Sequence, residues 1–313
     1  MTADKAIIIG TRGSKLALWQ ANYIQAMLEE KANVKSELKI IKTKGDKILD
    51  VALSKLGDKG LFVKEIENAL LDESVDIAVH SMKDLPTELP EGLEIMASPP
   101  REDNRDAFVS LEYNSVDELE KGAVVGSSSL RRKAQLLAMR SDVEVKEIRG
   151  NVDTRLKKLE SGEYQAILMA YAGLKRLGFT EHIKQIFEQS EMLPAVGQGA
   201  IAIEARSDDE DVRQALNKLN DEKTLLVVRA ERALMKELEG GCQVPIGANA
   251  QVENGTIHID ALVASINGEK IVKDEASGSE EQPEKVGIQV ADKLRAKGAE
   301  EILDKIREEN PLN

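Results

Sequence analysis

The chain has 313 residues, with 43 Lys and Arg against 56 Asp and Glu, a formal charge of −13, and 42% apolar and 32% charged residues. Such a composition buries real cores and excludes a disordered or fibrous chain, and the length suggests roughly two or three domains. One Trp, four Tyr and four Phe leave few stacking platforms for single-stranded nucleic acid; one cysteine excludes an internal disulfide, and three widely spaced histidines offer no metal cluster.

The first strand is expected over residues 5–10, after which Ser14 opens a helix with Ala17, Ala21, Ile24 and Leu28 at helical spacing. Residues 38–42 read as a strand, Phe62, Ile66, Ala69 and Leu70 as a helix face, and 76–80 as a short buried strand before a loop with Pro86 and Pro90. This alternation is the α/β signature. Pro99, Pro100 and the charged run 101–106 predict a hinge into a second α/β unit, with strands at 123–125, 143–148 and 165–169 and helices from Ser129, Asn151 and Ala172. Residues 200–204 form a strand that returns to the first unit, and a helix over 221–238 follows. The tail reads as an antiparallel meander (248–252, 256–264, 270–275) with turns at Asn254-Gly255 and Asn267-Gly268, then helices at 284–297 and 299–308. The expected division is 1–99 plus 200–217, 105–193, and 222–313. The apolar runs are strand-sized and the N-terminal MTADKAIIIGTRGS has no secretory-signal pattern, so a cytoplasmic protein without membrane contact is expected.

Charge is unevenly spread. Residues 101–180 hold eight of the fifteen arginines on an otherwise acidic chain, a pattern suited to a small carboxylate or phosphate ligand and not to a polyanion. Arg140 is expected on a solvated helix face. GTRGS at 10–14, GSSSLRR at 126–132 and RGNVDTR at 149–155 each bring a helix N-terminus together with an arginine, an anion-binding combination. HSMKD at 80–84 sets Lys83 and Asp84 beyond a buried strand, where open α/β sheets bind ligands; Asp84 is either a general acid/base or half of a surface ion pair. GQGAIA at 197–202 precedes a strand, which weakens a dinucleotide reading and leaves Gln198 to line a ligand cleft. Cys242 lies in the glycine-rich EGGCQVPIG, as an inert thiol or an accessible, modifiable one.

These stretches, together with TKGDKILD, KGLFVKEIE, DIAVHSMKDLP, REDNRDAFVS, AGLKRLG and LPAVGQGAIAIE, run in order from residue 10 to about 248 and resemble the porphobilinogen deaminase family. The resemblance implies two doubly wound α/β domains like those of periplasmic anion-binding proteins, plus a small α+β C-terminal domain. It implies a transferase that condenses four porphobilinogen molecules head to tail, releasing ammonia, on a dipyrromethane cofactor attached to Cys242, and then hydrolyses off the linear tetrapyrrole. Asp84 would be the catalytic group. Arg12, Ser14, Gln20, Asp46, Lys55, Lys59, Phe62, Ser81, Lys83, Ser129, Arg131, Arg132, Arg149, Arg155, Arg176 and Gln198 would bind cofactor and substrate, with no metal. A monomer without nucleic-acid partners is expected. Asp58 stands where the family commonly has glycine and Ser127 where it often has threonine; neither replaces a catalytic group. A two-lobed organic-anion-binding protein without catalysis is the main rival, and a Cys-dependent acyltransferase would leave the arginines unexplained.

Overall fold

A computed structural model describes residues 6–47, 63–239 and 244–309; Lys55, Asp58, Lys59, Phe62 and Cys242, and the side chain of Asp46, lie outside the described residues. The described residues form two compact units, one from the chain up to Lys47 with Val63–Glu102 and Ala200–Leu225, the other from Asp103–Gly199 and the chain from Leu226 onward.

The first unit begins with β1 (Ile7–Thr11), α1 (Lys15–Met27), β2 (Ser36–Ile40), α2 (Lys44–Lys47), α3 (Lys64–Leu71), β3 (Ile77–Ser81) and β4 (Leu93–Ala97). The second contributes β5 (Asp106–Ser110), β6 (Val124–Gly126), α4 (Leu130–Met139), β7 (Glu144–Lys146), α5 (Val152–Glu160), β8 (Ala166–Ala170), α6 (Tyr171–Leu177) and β9 (Ile183–Ile186). The chain then returns to the first unit through β10 (Ile201–Arg206) and α7 (Glu210–Leu216), and α8 (Glu222–Glu237) leads to β11 (Ile246–Glu253), β12 (Thr256–Ala264), β13 (Ile271–Ser279), α9 (Pro283–Ala296) and α10 (Ala299–Glu309).

The first two sheets share one plan. Their strand orders are β2-β1-β3-β10-β4 and β7-β6-β8-β5-β9, each with three parallel strands, one reversed strand in fourth place, and a fifth strand beyond it. Both faces of each sheet are covered, which is why the inner strands β1, β3 and β10, and β6, β8 and β5, are buried almost throughout, while the edge strands β2, β7 and β9 stay half-buried or exposed. In the first sheet, Ala21, Ile24 and Met27 of α1 pack with Ile9, Ile77, Val79 and Ile203 on one face, and Ile66, Ala69 and Leu70 of α3 cover Val75 and Ala78 on the other. In the second, Leu136 of α4 joins Phe108, Val125 and Leu168, while Leu156 and Leu159 of α5 lie with Val109, Ile167 and Met169. The third sheet, β11-β12-β13, is antiparallel and buries one face under α8, α9 and α10 through residues such as Leu234, Ile259, Val290 and Leu303. The architecture is therefore two doubly wound α/β sheets and a smaller α+β element, the class read from the sequence.

Five elements went unread: α2, β4, β5, β9 and α7. Residue Asp106, assigned above to a charged hinge, instead starts β5, and the other four residues of that strand are buried with it. No helix among the described residues is long and apolar enough to cross a membrane.

Candidate functional site

In both doubly wound sheets the candidate residues gather at the carboxyl ends of the parallel strands, where the loop from strand to helix leaves backbone amides unpaired. In the first unit, β1 ends at Thr11, and half-buried Arg12 follows before Ser14 caps α1, its Oγ accepting from the Ala17 amide at 3.3 Å. β3 ends at Ser81 and passes into a 3-10 turn, Met82–Asp84, that carries half-buried Lys83 and exposed Asp84. Gln20, buried on α1, reaches across to donate from Nε2 to Ser81 Oγ at 2.9 Å. This bond ties the first helix to the end of the strand that presents Asp84, so Gln20 and Ser81 act together.

In the second unit, Ser129 caps α4 by accepting from the Arg132 amide, and the next two polar side chains turn inward. Arg131 and Arg132 are only 4% and 7% exposed, and both close on Asp106, which is wholly buried. Arg131 Nη1 donates to Asp106 Oδ2 at 2.6 Å and to the Leu193 carbonyl, also at 2.6 Å. Arg132 donates from Nε to Asp106 Oδ1 at 2.8 Å and from Nη1 to the Leu168 carbonyl at 3.2 Å. Gln198 completes the group, its Nε2 donating to Asp106 Oδ1 at 2.9 Å and to the Asn104 carbonyl, while its Oε1 accepts from Arg132 Nη2. Gln198 is thus 1% exposed and fully engaged behind the arginines, where the sequence suggested a residue lining a cleft.

Burial alone would push the Asp106 carboxyl up, but the Arg131 and Arg132 guanidiniums and the Gln198 amide hold it well below the ordinary carboxylate range. Burial also pulls Arg132 below the usual guanidinium value, although Asp106 opposes this. Two buried cations on one anion leave the group with one excess positive charge, and Arg131 Nε is buried with no hydrogen-bond partner among the described residues. A cationic site with an orphaned donor at the start of a helix is suited to a further carboxylate.

The remaining junctions are more open. α5 starts at Asn151 without a side-chain cap; the Arg155 Nε donates to the Gly150 carbonyl at 2.8 Å, and half-buried Arg149 donates to Glu147 Oε1 from Nε at 3.0 Å and Nη2 at 2.8 Å. Arg176, on α6, donates to the Gly199 carbonyl at 2.7 Å. Arg140 departs from expectation. It is only partly exposed, and it bonds the Val116, Asp117 and Leu119 carbonyls as well as Asp142, so it pins a loop instead of facing water.

Sequence reasoning missed Asp106. Its signal was a lone acid opening an apolar stretch, DAFVS, opposite an Arg-Arg pair on a chain with few other uses for buried arginines. It also missed Glu231, which is wholly buried on α8 and accepts from the Gly197 amide at 2.7 Å and the Ala250 amide at 2.9 Å, fixing the segment just before Gln198.

A family model described as "Porphobilinogen deaminase, dipyromethane cofactor binding domain" matches residues 7–214, and one described as "Porphobilinogen deaminase, C-terminal domain" matches residues 225–296. The chain belongs to the porphobilinogen deaminase family. A protein named porphobilinogen deaminase from Chloroherpeton thalassium is 52% identical over 311 residues, covering 98% of this chain and 99% of its own. Another of that name, from Carboxydothermus hydrogenoformans, is 50% identical over 305 residues, covering 97% and 98%. Among solved structures, a periplasmic substrate-binding protein of an ABC transporter from Coxiella burnetii aligns at 11% identity with a TM-score of 0.45, over 70% of this chain and 94% of that one. As a member of the family the chain is a transferase of tetrapyrrole biosynthesis, with porphobilinogen as substrate and dipyrromethane as cofactor. The buried Asp106 cluster fits that cofactor: dipyrromethane brings acetate and propionate groups, and the cluster offers excess positive charge and an Arg131 Nε without a hydrogen-bond partner among the described residues.

Proposed function

We propose that Asp84, presented by the turn after β3, is the carboxylate with which this chain condenses four porphobilinogen molecules head to tail, releases ammonia from each, and frees the linear tetrapyrrole hydroxymethylbilane by hydrolysis. Dipyrromethane, joined by a thioether to Cys242, supplies when bound the pyrrole end on which the product is built. Asp84 is exposed and carried by a short turn, so a substrate can reach it. There its charge accepts from pyrrole N–H groups and opposes the positive charge that develops as the aminomethyl C–N bond breaks and the electron pair leaves with ammonia. Lys83, beside it, binds a substrate carboxylate.

The observation that carries this reading is the row of cationic side chains at the carboxyl edges of the doubly wound sheets. Each pyrrole bears an acetate and a propionate, so negative charge accumulates with every condensation, and arginines receive carboxylates through paired N–H donors. In the second unit Ser129, Arg131, Arg132, Arg149, Arg155 and Arg176 have this role, with Gln198 behind them; in the first, Arg12, Ser14, Gln20, Ser81 and Lys83. Asp46, Lys55, Lys59 and Phe62 complete the set. The reading includes a monomeric, cytoplasmic chain without a nucleic-acid partner, in keeping with its net charge of −13.

The test is the intact mass of the denatured protein beside a Cys242→Ser control, together with ammonia release by Asp84→Ala. The expected result is an added mass of two linked pyrrole units that disappears in Cys242→Ser, and an Asp84→Ala protein that keeps this mass but hardly turns over. Near-normal ammonia release by Asp84→Ala would remove Asp84 from the role. Porphobilinogen binding without any ammonia release from the unsubstituted protein would favour a solute-binding protein instead.

A further inference from the structure

Beneath the turn that carries Asp84 lies a group of titratable side chains that none of the roles above uses. His80, on β3 one residue before Ser81, is 6% exposed; Glu204, on β10, is 0% exposed; Glu67, on α3, is 7% exposed. The antiparallel register pairs His80 with Ala202 and Glu204 with Ala78, which sets the two side chains diagonally on one face of the sheet, the face covered by α3. His80 Nε2 stands 3.1 Å from Glu204 Oε2 and makes no hydrogen bond among the described residues. Both Glu204 oxygens and Glu67 Oε1 are buried without a hydrogen-bond partner among the described residues. On the other side of Glu204, β4 places Ile95 opposite it; Lys64, exposed on α3, is the remaining charged group that acts on Glu67.

We propose that His80, Glu204 and Glu67 form a buried proton-sharing cluster that positions the Lys83–Asp84 turn from behind, and that its protonation contributes to the pH dependence of catalysis without any of the three touching substrate. Two unsolvated carboxylates beside one imidazole are costly unless a proton stays among them. Burial, reinforced by the charge of Glu204, raises the Glu67 carboxyl above its ordinary value, so a retained proton sits readily there. His80 transmits the state of the cluster because its backbone is continuous with Ser81 and the turn, and because the Met82 amide is held by the Ala200 carbonyl at 3.0 Å, on the same pair of strands. A small displacement of a catalytic carboxylate is costly, up to about a hundredfold in rate for ~1 Å.

The inference rests on Asp84 being the catalytic carboxylate, and the experiment separates the two. His80→Gln, Glu204→Gln and the double variant are prepared with the cofactor attached, as shown by intact mass, and compared with the unsubstituted enzyme for kcat and KM of porphobilinogen consumption from pH 6 to 9. Melting temperatures confirm that each is folded at the assay temperature. The expected outcome is a drop in kcat on the order of tenfold in each single variant with KM within about twofold, the loss in both of one limb of the pH profile, and a double variant no worse than the poorer single one. Superimposable pH profiles, or fully additive effects accompanied by lowered melting temperature alone, would overturn the cluster and leave a packing role. Activity retained by Asp84→Ala would overturn the reading of Asp84 while the pH-profile comparison still decides whether the cluster acts. Should Glu204→Gln fail to fold, His80→Gln alone decides on the same profile.

Discussion

Gly268 closes the turn between β12 and β13 with φ of +74°, and its amide bonds the Ser265 carbonyl at 2.9 Å. A Cβ built there would lie 2.3 Å from the Ala134 carbonyl oxygen and 2.8 Å from the Ala138 amide, both backbone atoms of α4. Gly255, in the turn between β11 and β12, has nearly the same φ of +79°, but a Cβ there meets nothing within 4 Å. The two positions separate conformation from contact. Gly255→Ala bears only the left-handed penalty, about 1–2 kcal/mol. Gly268→Ala bears the same penalty and must also open roughly 1 Å against a helix backbone, and overpacking of that kind costs a further ~1–3 kcal/mol. Urea unfolding followed by circular dichroism, with m-values compared to confirm that the same transition is observed, measures both. Gly268→Ala is expected to be the less stable of the two by about 1–3 kcal/mol. Equal losses would refute the argument that this turn is pressed against α4.

Asp106→Asn leaves two buried guanidiniums without their anion and should cost about 3–5 kcal/mol in unfolding free energy near neutral pH. Because Asp106 lies well below the ordinary carboxylate value when folded, its contribution is present above the unfolded value near 3.8 and is lost only as pH falls below it; the gap between Asp106→Asn and the unsubstituted protein should therefore be constant from pH 5 to 8 and narrow below pH 3.8. For Glu67 the sign reverses. Its raised carboxyl favours the protonated folded state, a contribution present below its ordinary value of 4.5 and lost as pH rises, so Glu67→Gln should melt higher than the unsubstituted protein at pH 8 and lose that advantage toward pH 4.5. Arg155→Ala removes a guanidinium whose Nε is anchored on the Gly150 carbonyl beside the uncapped start of α5, and should lead enzyme-bound intermediates to accumulate in intact-mass spectra after addition of limiting porphobilinogen; an unchanged distribution would argue against a role in holding the growing product.

Where a segment's own residues carry the signal, the fold was legible. Ser14 was readable as a cap because its hydroxyl acts three residues away, and the last three strands were readable because Asn-Gly pairs separate their alternating runs. β5 was not: five residues beginning with an acid, after a charged run, look like a hinge until β8 and β9 are found on either side of it. The same omission hid the partner of Arg131 and Arg132. The arginine concentration was plain in the sequence, but the carboxylate that orients two of them lies 25 and 26 residues away on a strand reached only through tertiary pairing. His80 and Glu204 were illegible for the same reason, since their proximity depends on the register of β3 with β10.

The reversed fourth strand reaches the two sheets from opposite directions along the chain, and this sets an order for folding. In the second sheet it is the first strand made, β5, and the last, β9, is complete at Ile186. In the first sheet it is β10, which must enter between β3 and β4, pairing Ser81 with Ile201, after the whole of the second sheet has been synthesised. A chain emerging from a ribosome therefore holds β3 and β4 with open edges until β10 arrives. Closure of so long a loop is slow, and exposed edges invite pairing with other chains. The later-made sheet is the one able to close first, and the N-terminal sheet that carries Asp84 is where early misfolding and chaperone dependence should concentrate.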